Sequence, residues 1–329
     1  MSARATTIPT AAGDVVDSLE QYRTELTGYC YRMLGSAFDA EDAVQDAMTR
    51  AWRAFDRFEG RSSLRTWLYT IAHNVCLDTL DARKRRARPM DLSEASSFDS
   101  PPGEPLAGDI WIEPVPDERV VTSGGDPADT VIARESIRLA FLAALQSLPP
   151  RQRAVLILRD VLRWQASEVA ELLGTTVASA NSALQRARAT LAARGEDGNP
   201  TAPAKQSEEN LLARYVDAFE RYDIDSLTAL IAEDATQSMP PYALWLQGRD
   251  DILGWWVGPG AACRGSRLVP TTANGRAAFG QYRPSGPGGS FQPWALQVLE
   301  VEDGRVVDFS FFLDTERLFP LFGLPPTVE

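Results

Sequence analysis

The side chains in this sequence best suited to chemistry are cations, and they are gathered in two places. From Arg50 to Arg88 there are ten Lys/Arg against four Asp/Glu, net +6, ending in the run Arg83-Lys84-Arg85-Arg86. From Leu145 to Gly195 there are seven against three, net +4. Clusters of this kind suit phosphate, which is sequence-blind and salt-dependent as a target. The chain as a whole carries −12, because Pro89 to Glu135 holds two Arg against eleven acids and Ser207 to Glu329 nine against seventeen. Two candidate polyanion-binding pieces are therefore hidden by the total. Other chemistries find little support. His73 is the only histidine, and Cys30, Cys76 and Cys263 are far apart with no CxxC spacing, so no metal and three free thiols are expected. No P-loop is present, and no cofactor is called for.

These side chains need elements to position them. Leu19, Tyr22, Leu26, Tyr29, Cys30 and Met33 recur at helical spacing and predict an amphipathic helix halted near Gly35. Asp39 can cap a second helix with Ala40, Ala43, Val44, Ala47, Met48, Ala51, Trp52 and Phe55 on its core face. Glu41, Asp42, Gln45, Asp46 and Arg50 lie off that face and stay available. The polar turn Glu59 to Ser63 leads into a third helix, Leu64 to about Arg85, with Trp67, Leu68, Ile71, Val75 and Leu80 as its buried stripe. Pro89 to about Pro127 turns to Pro, Gly, Ser and acids without period, the composition of a linker that cannot order itself. Within it, Asp109-Ile110-Trp111-Ile112-Glu113 either docks on another domain or is a chance cluster. After the Leu148-Pro149-Pro150 break, Glu168 to Leu173, the turn at Gly174, and Val177 to Ala192 have the layout of a helix-turn-helix.

The last piece begins with two helical patterns, around Leu211 to Phe219 and Leu227 to Ile231. Strand-like runs at 267–272, 277–282, 291–301 and 305–313 follow, separated by turn signals at Asn274-Gly275, 285–289 and Asp303-Gly304. An α+β cone with a curved antiparallel sheet is expected. The boundaries read as a disordered N-terminus 1–16, a helical domain 17–88, an acidic linker 89–128, the helix-turn-helix domain 129–195, a linker 196–206 and the cone 207–329. The N-terminus has no apolar signal region and no run reaches the roughly 18–20 apolar residues that span a bilayer, so a cytoplasmic location without membrane contact is expected.

Asp39 to Asp46, the Phe58 to Trp67 segment and the Leu148 to Arg188 block together resemble the extracytoplasmic-function sigma factors of bacterial RNA polymerase, over about two thirds of the chain. The resemblance implies two all-α sigma domains, a three-helix promoter-melting domain and a helix-turn-helix domain, followed by an NTF2-like cone. It implies core RNA polymerase (beta-prime clamp and beta flap) and promoter DNA as partners, with Asp42, Gln45 and Asp46 on the clamp. The minus-ten element falls to Arg61, Ser62, Ser63 and Leu64 on the turn, with Arg65, Tyr69, Thr70, His73 and Asn74 on an exposed helix face. Trp67 is read as core, and Arg83, Lys84, Arg85 and Arg86 as phosphate contacts. The minus-thirty-five element falls to Thr176, Ser179, Asn181, Ser182 and Gln185, with Arg186 and Arg188 near phosphates. Asn181 and Ala183 stand where many members carry basic residues, which removes charge from the recognition helix.

Ser207 to Glu329 resembles the SnoaL-like branch of the NTF2 fold, which hosts isomerases, cyclases and plain binding modules. Asp234, Asp250 or Asp314 with Tyr222 or Tyr242 could be cast as an isomerase's base and oxyanion donor, but no spacing singles them out. The favoured expectation is a non-catalytic regulator whose acidic surface contacts the sigma domains within the chain, with Trp245, Trp255, Trp256, Tyr282, Trp294 and Phe311 as core or docking surface. Either sign of control is open.

Overall fold

The computed structural model describes residues 12–82, 85–122, 127–193 and 205–328. The chain divides into two compact units, each made of two separate stretches: Met1–Arg85 with Glu118–Asp197, and Arg86–Asp117 with Gly198–Glu329.

The first unit is helical. Helix α1 (Ala12–Glu20) begins inside the stretch expected to be disordered, with Leu19 buried at its end. Helix α2 (Arg23–Leu34) buries Leu26, Tyr29, Cys30 and Met33, and stops at Gly35, whose φ of 73° lets its N–H reach Tyr31 O at 2.7 Å. The cap of α3 (Ala37–Ala54) is Ser36, not Asp39: Ser36 Oγ accepts the Asp39 N–H at 3.1 Å. Alanines at 40, 43, 47 and 51 keep the buried face of α3 flat, while Trp52 lies one position beyond it and is 55% exposed, contrary to its reading as core. Ser63 caps α4 (Leu64–Asp81) in the same way, and Leu68, Ala72, Val75 and Cys76 are buried along it.

After the single turn α5 (Asp117–Val120) come α6 (Pro127–Glu135), α7 (Leu139–Ser147) and α8 (Pro150–Leu156), the last opening on Pro150 and running into a π-helical turn, Ile157–Val161. Helices α9 (Ala166–Leu172) and α10 (Val177–Ala192) flank Gly174, whose φ of 57° makes the sharp turn between them.

Two buried arginines join the halves of this unit. Arg32 on α2 donates to Ser136 Oγ, Gly28 O and Ala133 O. Arg153 on α8 donates to Met33 O, Gln146 Oε1 and O, and Leu148 O. Neither meets a carboxylate in these contacts, and burial pulls both guanidinium groups down to about 10. Removing either would strand several buried carbonyls, at a cost of about 3 kcal/mol.

The second unit is a six-stranded mixed sheet with helices. Helices α11 (Lys205–Arg221) and α12 (Ile224–Leu230) lead into β1 (Ile231–Ser238) and β2 (Trp245–Gln247), then α13 (Arg249–Val257). The meander β3 (Arg267–Ala273), β4 (Arg276–Arg283), β5 (Gln292–Glu302) and β6 (Arg305–Phe312) ends in α14 (Thr315–Leu321). The order is β2-β1-β6-β5-β4-β3, antiparallel except where β1 pairs parallel with β6. That parallel pair corrects the all-antiparallel expectation.

Residues 86–117 are ordered on this sheet domain, which corrects the expectation that the stretch cannot order itself. Too few of its own residues are apolar to make a core, so it borrows one. Trp111, Ile112 and Val115 are buried. Val115 N–H donates to Asn274 Oδ1 at 3.0 Å and Asn274 N–H returns to Val115 O at 3.1 Å. Ser96 N–H bonds to Trp245 O, Leu106 N–H to Pro241 O, and Trp245 Nε1 to Ser93 O. Arg86, read as a phosphate contact, is buried here and donates to Gly108 O and Trp111 O.

Candidate nucleic-acid interfaces and C-terminal cavity

On α3, the alanine face fixes which side is left over. Asp42, Gln45 and Asp46 are exposed on it. Asp46 pairs with Arg50 at 2.7 Å, and Arg50 also reaches Asp78 on α4.

The turn before α4 presents Arg61 and Ser63 to solvent, with Ser62 and Leu64 half-buried and Arg61 beside Glu59. Along α4, Asn74 is exposed and Thr70 half-buried, but Tyr69 and His73 are buried, so the exposed-face expectation fails for these two. Trp164, between the π-turn and α9, covers Tyr69 with ring centroids 4.8 Å apart, while His73 is turned to the buried Tyr29. Arg65 sits over Trp164 at 4.5 Å and donates its Nε to Glu25 at 2.7 Å, while Tyr69 Oη donates to the same Glu25 oxygen at 2.8 Å. Beneath them Tyr29 Oη and His73 Nδ1 are 2.8 Å apart. Burial lowers His73 to about 4, so the ring is neutral at physiological pH. Glu25 and Trp164 were missed in the sequence because one belongs to α2 and the other to the loop before α9; only folding brings them to α4. Trp67, read as core, is only half-buried, against the half-buried Phe58 at 4.9 Å. Arg85 is exposed, and Arg83 and Lys84 lie outside the described residues.

Helix α10 buries Ala180, Ala183, Leu184, Ala187 and Leu191. The opposite side exposes Asn181, Ser182, Gln185 and Arg186, with Ser179 half-buried. Ala183 is thus a packing residue, and its lack of charge says nothing about DNA. Thr176 is exposed but is the N-cap, its Oγ1 accepting from Ser179 N at 3.2 Å. Arg188 is held by Asp160 through two bonds of 2.9 and 2.6 Å, which screens its charge.

In the second unit the three carboxylates considered for isomerase chemistry, Asp234, Asp250 and Asp314, are all exposed. None lines the cavity of about 140 Å³ between the helices and the sheet, whereas Tyr222, Trp255, Trp256, Trp294 and Phe311 do. Tyr222 Oη donates to Trp256 O, so it is not a free oxyanion donor. Cys263, also on the wall, has its thiol pushed up by burial and is a poor nucleophile. Among the described residues no group of three or more His, Cys, Asp or Glu is placed to hold a metal, and no helix is long and apolar enough to cross a membrane.

Comparison with known proteins agrees with this division. Family models match as Sigma-70 region 2 over residues 19–86, Sigma-70 region 4 over 138–191 and SnoaL-like domain over 212–309. The ECF RNA polymerase sigma factor SigG of Mycobacterium tuberculosis is 45% identical over 322 residues, 96% of this chain and 85% of that protein. SigJ of the same species is 31% identical over 67% of this chain and 63% of its own length. The crystal structure of SigJ shares the fold with a TM-score of 0.60 at 24% identity, covering 94% of this chain and all of that one.

Proposed function

Because the chain belongs to the extracytoplasmic-function sigma factors of RNA polymerase, we propose that it binds core polymerase, directs initiation at its own promoters and is modulated by its SnoaL-like domain. One observation carries the reading at the level of residues: α3 and α10 each bury an alanine-rich face and leave a polar face uncovered within the same helical unit. Asp42, Gln45 and Asp46 form the polymerase contact, and Asn181, Ser182 and Gln185 face the minus-thirty-five bases, with Arg186 on phosphate. Arg61, Ser63 and Asn74 are open to the minus-ten strand at once, whereas Arg65 and Tyr69 reach it only after Trp164 withdraws. A closed helical unit that opens on polymerase is the natural reading. The SnoaL-like domain acts through the connection between the sigma domains, since residues 86–117 belong to its own fold. Binding and not turnover is its role, and its place of action is the cytoplasm, with polymerase and the chromosome.

The test is run-off transcription with core polymerase and a promoter found by genomic selection. The full chain is expected to start transcripts that core alone does not. Substituting Asp42, Gln45 and Asp46 together with alanine should weaken core binding at least about tenfold while helicity is unchanged. Undiminished core binding would remove α3 from the polymerase interface.

A further inference from the structure

The cavity of the SnoaL-like domain is lined by hydrophobic rings and, among its lining residues, only one charge, Arg283. Its amides are largely committed, Gln237 Nε2 making only a 3.9 Å contact with Met239 Sδ. Gln237 Oε1 accepts Trp256 Nε1 at 2.6 Å, and Gln281 Nε2 donates to Ser266 while its Oε1 accepts from Gln297. Gln297 Oε1 in turn takes the buried Tyr215 hydroxyl at 2.8 Å. This chain of amides is closed on itself and offers a visitor little.

Arg283 differs from it. Its guanidinium stacks on Trp294 at 4.1 Å, and its buried Nε has no hydrogen-bond partner. Three other arginines of the same domain meet carboxylates, Arg267 with Glu220, Arg276 with Glu300 and Arg317 with Glu113. With seventeen acids against nine Arg from Ser207 to Glu329, the domain is not short of carboxylates, yet none lines this cavity. A cation held against a ring in an apolar, acid-free hollow is a preformed anion receptor, because the low dielectric strengthens its field and the planar fork matches a carboxylate.

We infer that this cavity binds a small aryl carboxylate, its ring among Trp255, Trp256 and Phe311 and its carboxylate on Arg283. The size is right for one ring, since a cavity of about 150 Å³ holds benzene. The wall has no carboxylate or histidine to act as a base, so the ligand is bound and released unchanged. Binding has a route to the rest of the domain. Helix α13 places Trp255 and Trp256 on the cavity, while its Gly254 faces the Phe98 ring and its Asp251 accepts the Phe98 N–H at 3.2 Å. Any effect on transcription through that helix rests on the regulatory reading above; the binding itself does not.

The experiment titrates the full chain with phenylacetate and with phenylacetamide, its neutral counterpart, following tryptophan fluorescence and calorimetry. Phenylacetate is expected to bind, the amide at least about tenfold more weakly. Arg283→Gln should lose that preference while keeping the wild-type circular dichroism and melting temperature, and Arg283→Lys should retain part of it. Equal binding of acid and amide, or no binding of phenylacetate up to its solubility, would overturn the inference. Transcription assayed with and without phenylacetate then speaks only to the regulatory consequence.

Discussion

His73 is the only histidine in the chain, so it alone among the side chains has an unperturbed pKa inside the window from about pH 5 to 6.5. Its folded value lies near 4 because burial disfavours the imidazolium. The unfolded chain therefore takes up a proton as pH falls through about 6.5 while the folded chain does not, and stability falls with it. By pH 5 the loss should be about 2 kcal/mol, approaching a slope of about 1.4 kcal/mol per unit. Chemical unfolding of the wild type and His73→Gln at pH 7.5 and pH 5 reads this directly. The variant should be less stable at pH 7.5 but should lack most of the wild type's fall; equal falls would mean that another group carries the dependence. The sequence offered His73 as a polar residue on an exposed face of α4. What it could not show is that the ring turns to Tyr29 on α2, which is itself fully buried.

Elements whose apolar period is undisturbed were readable, and those whose stability comes from elsewhere were not. The β3 to β6 meander was visible because Asn274-Gly275 and Asp303-Gly304 punctuate alternating runs, and Asn274 and Asp303 do take the positive φ that such turns require. β1 was hidden because its sequence is polar and a register shift between Ile231 and Thr236 breaks the alternation. Residues 86–117 were misread for a related reason: their order depends on pairing with a domain more than a hundred positions away. Gly254 tests that dependence. A Cβ there would lie 2.8 Å from the Phe98 ring, closer than real contacts allow. Gly254→Ala should therefore displace Phe98 and raise proteolytic cleavage between Ser93 and Leu106 at least several-fold, with the melting temperature of the sheet domain little changed. Unaltered protection would mean that Phe98 does not anchor the segment.

At the scale of the molecule, charge and connectivity divide the labour. The basic pieces fall in the helical unit and the acidic pieces largely in the sheet domain, as the segregated charges of the sequence imply. The chain leaves the helical unit at Arg85, contributes to the sheet domain, and returns at Glu118. Within the helical unit, Trp164 against Tyr69 and Arg65 is the contact that lies over α4. Its removal should trade stability for access. Trp164→Ala deletes a buried ring, which costs about 3 to 5 kcal/mol, but the loss falls on the seam between the halves and not inside either one. Hydrogen exchange should accelerate on α4 and α9 while α3 and α10 stay protected. Affinity for a single-stranded minus-ten oligonucleotide should then rise severalfold, because Arg65 and Tyr69 are released to stack on unpaired bases. Opening without a gain in binding would show that the covered cluster is structural and takes no part in binding unpaired bases.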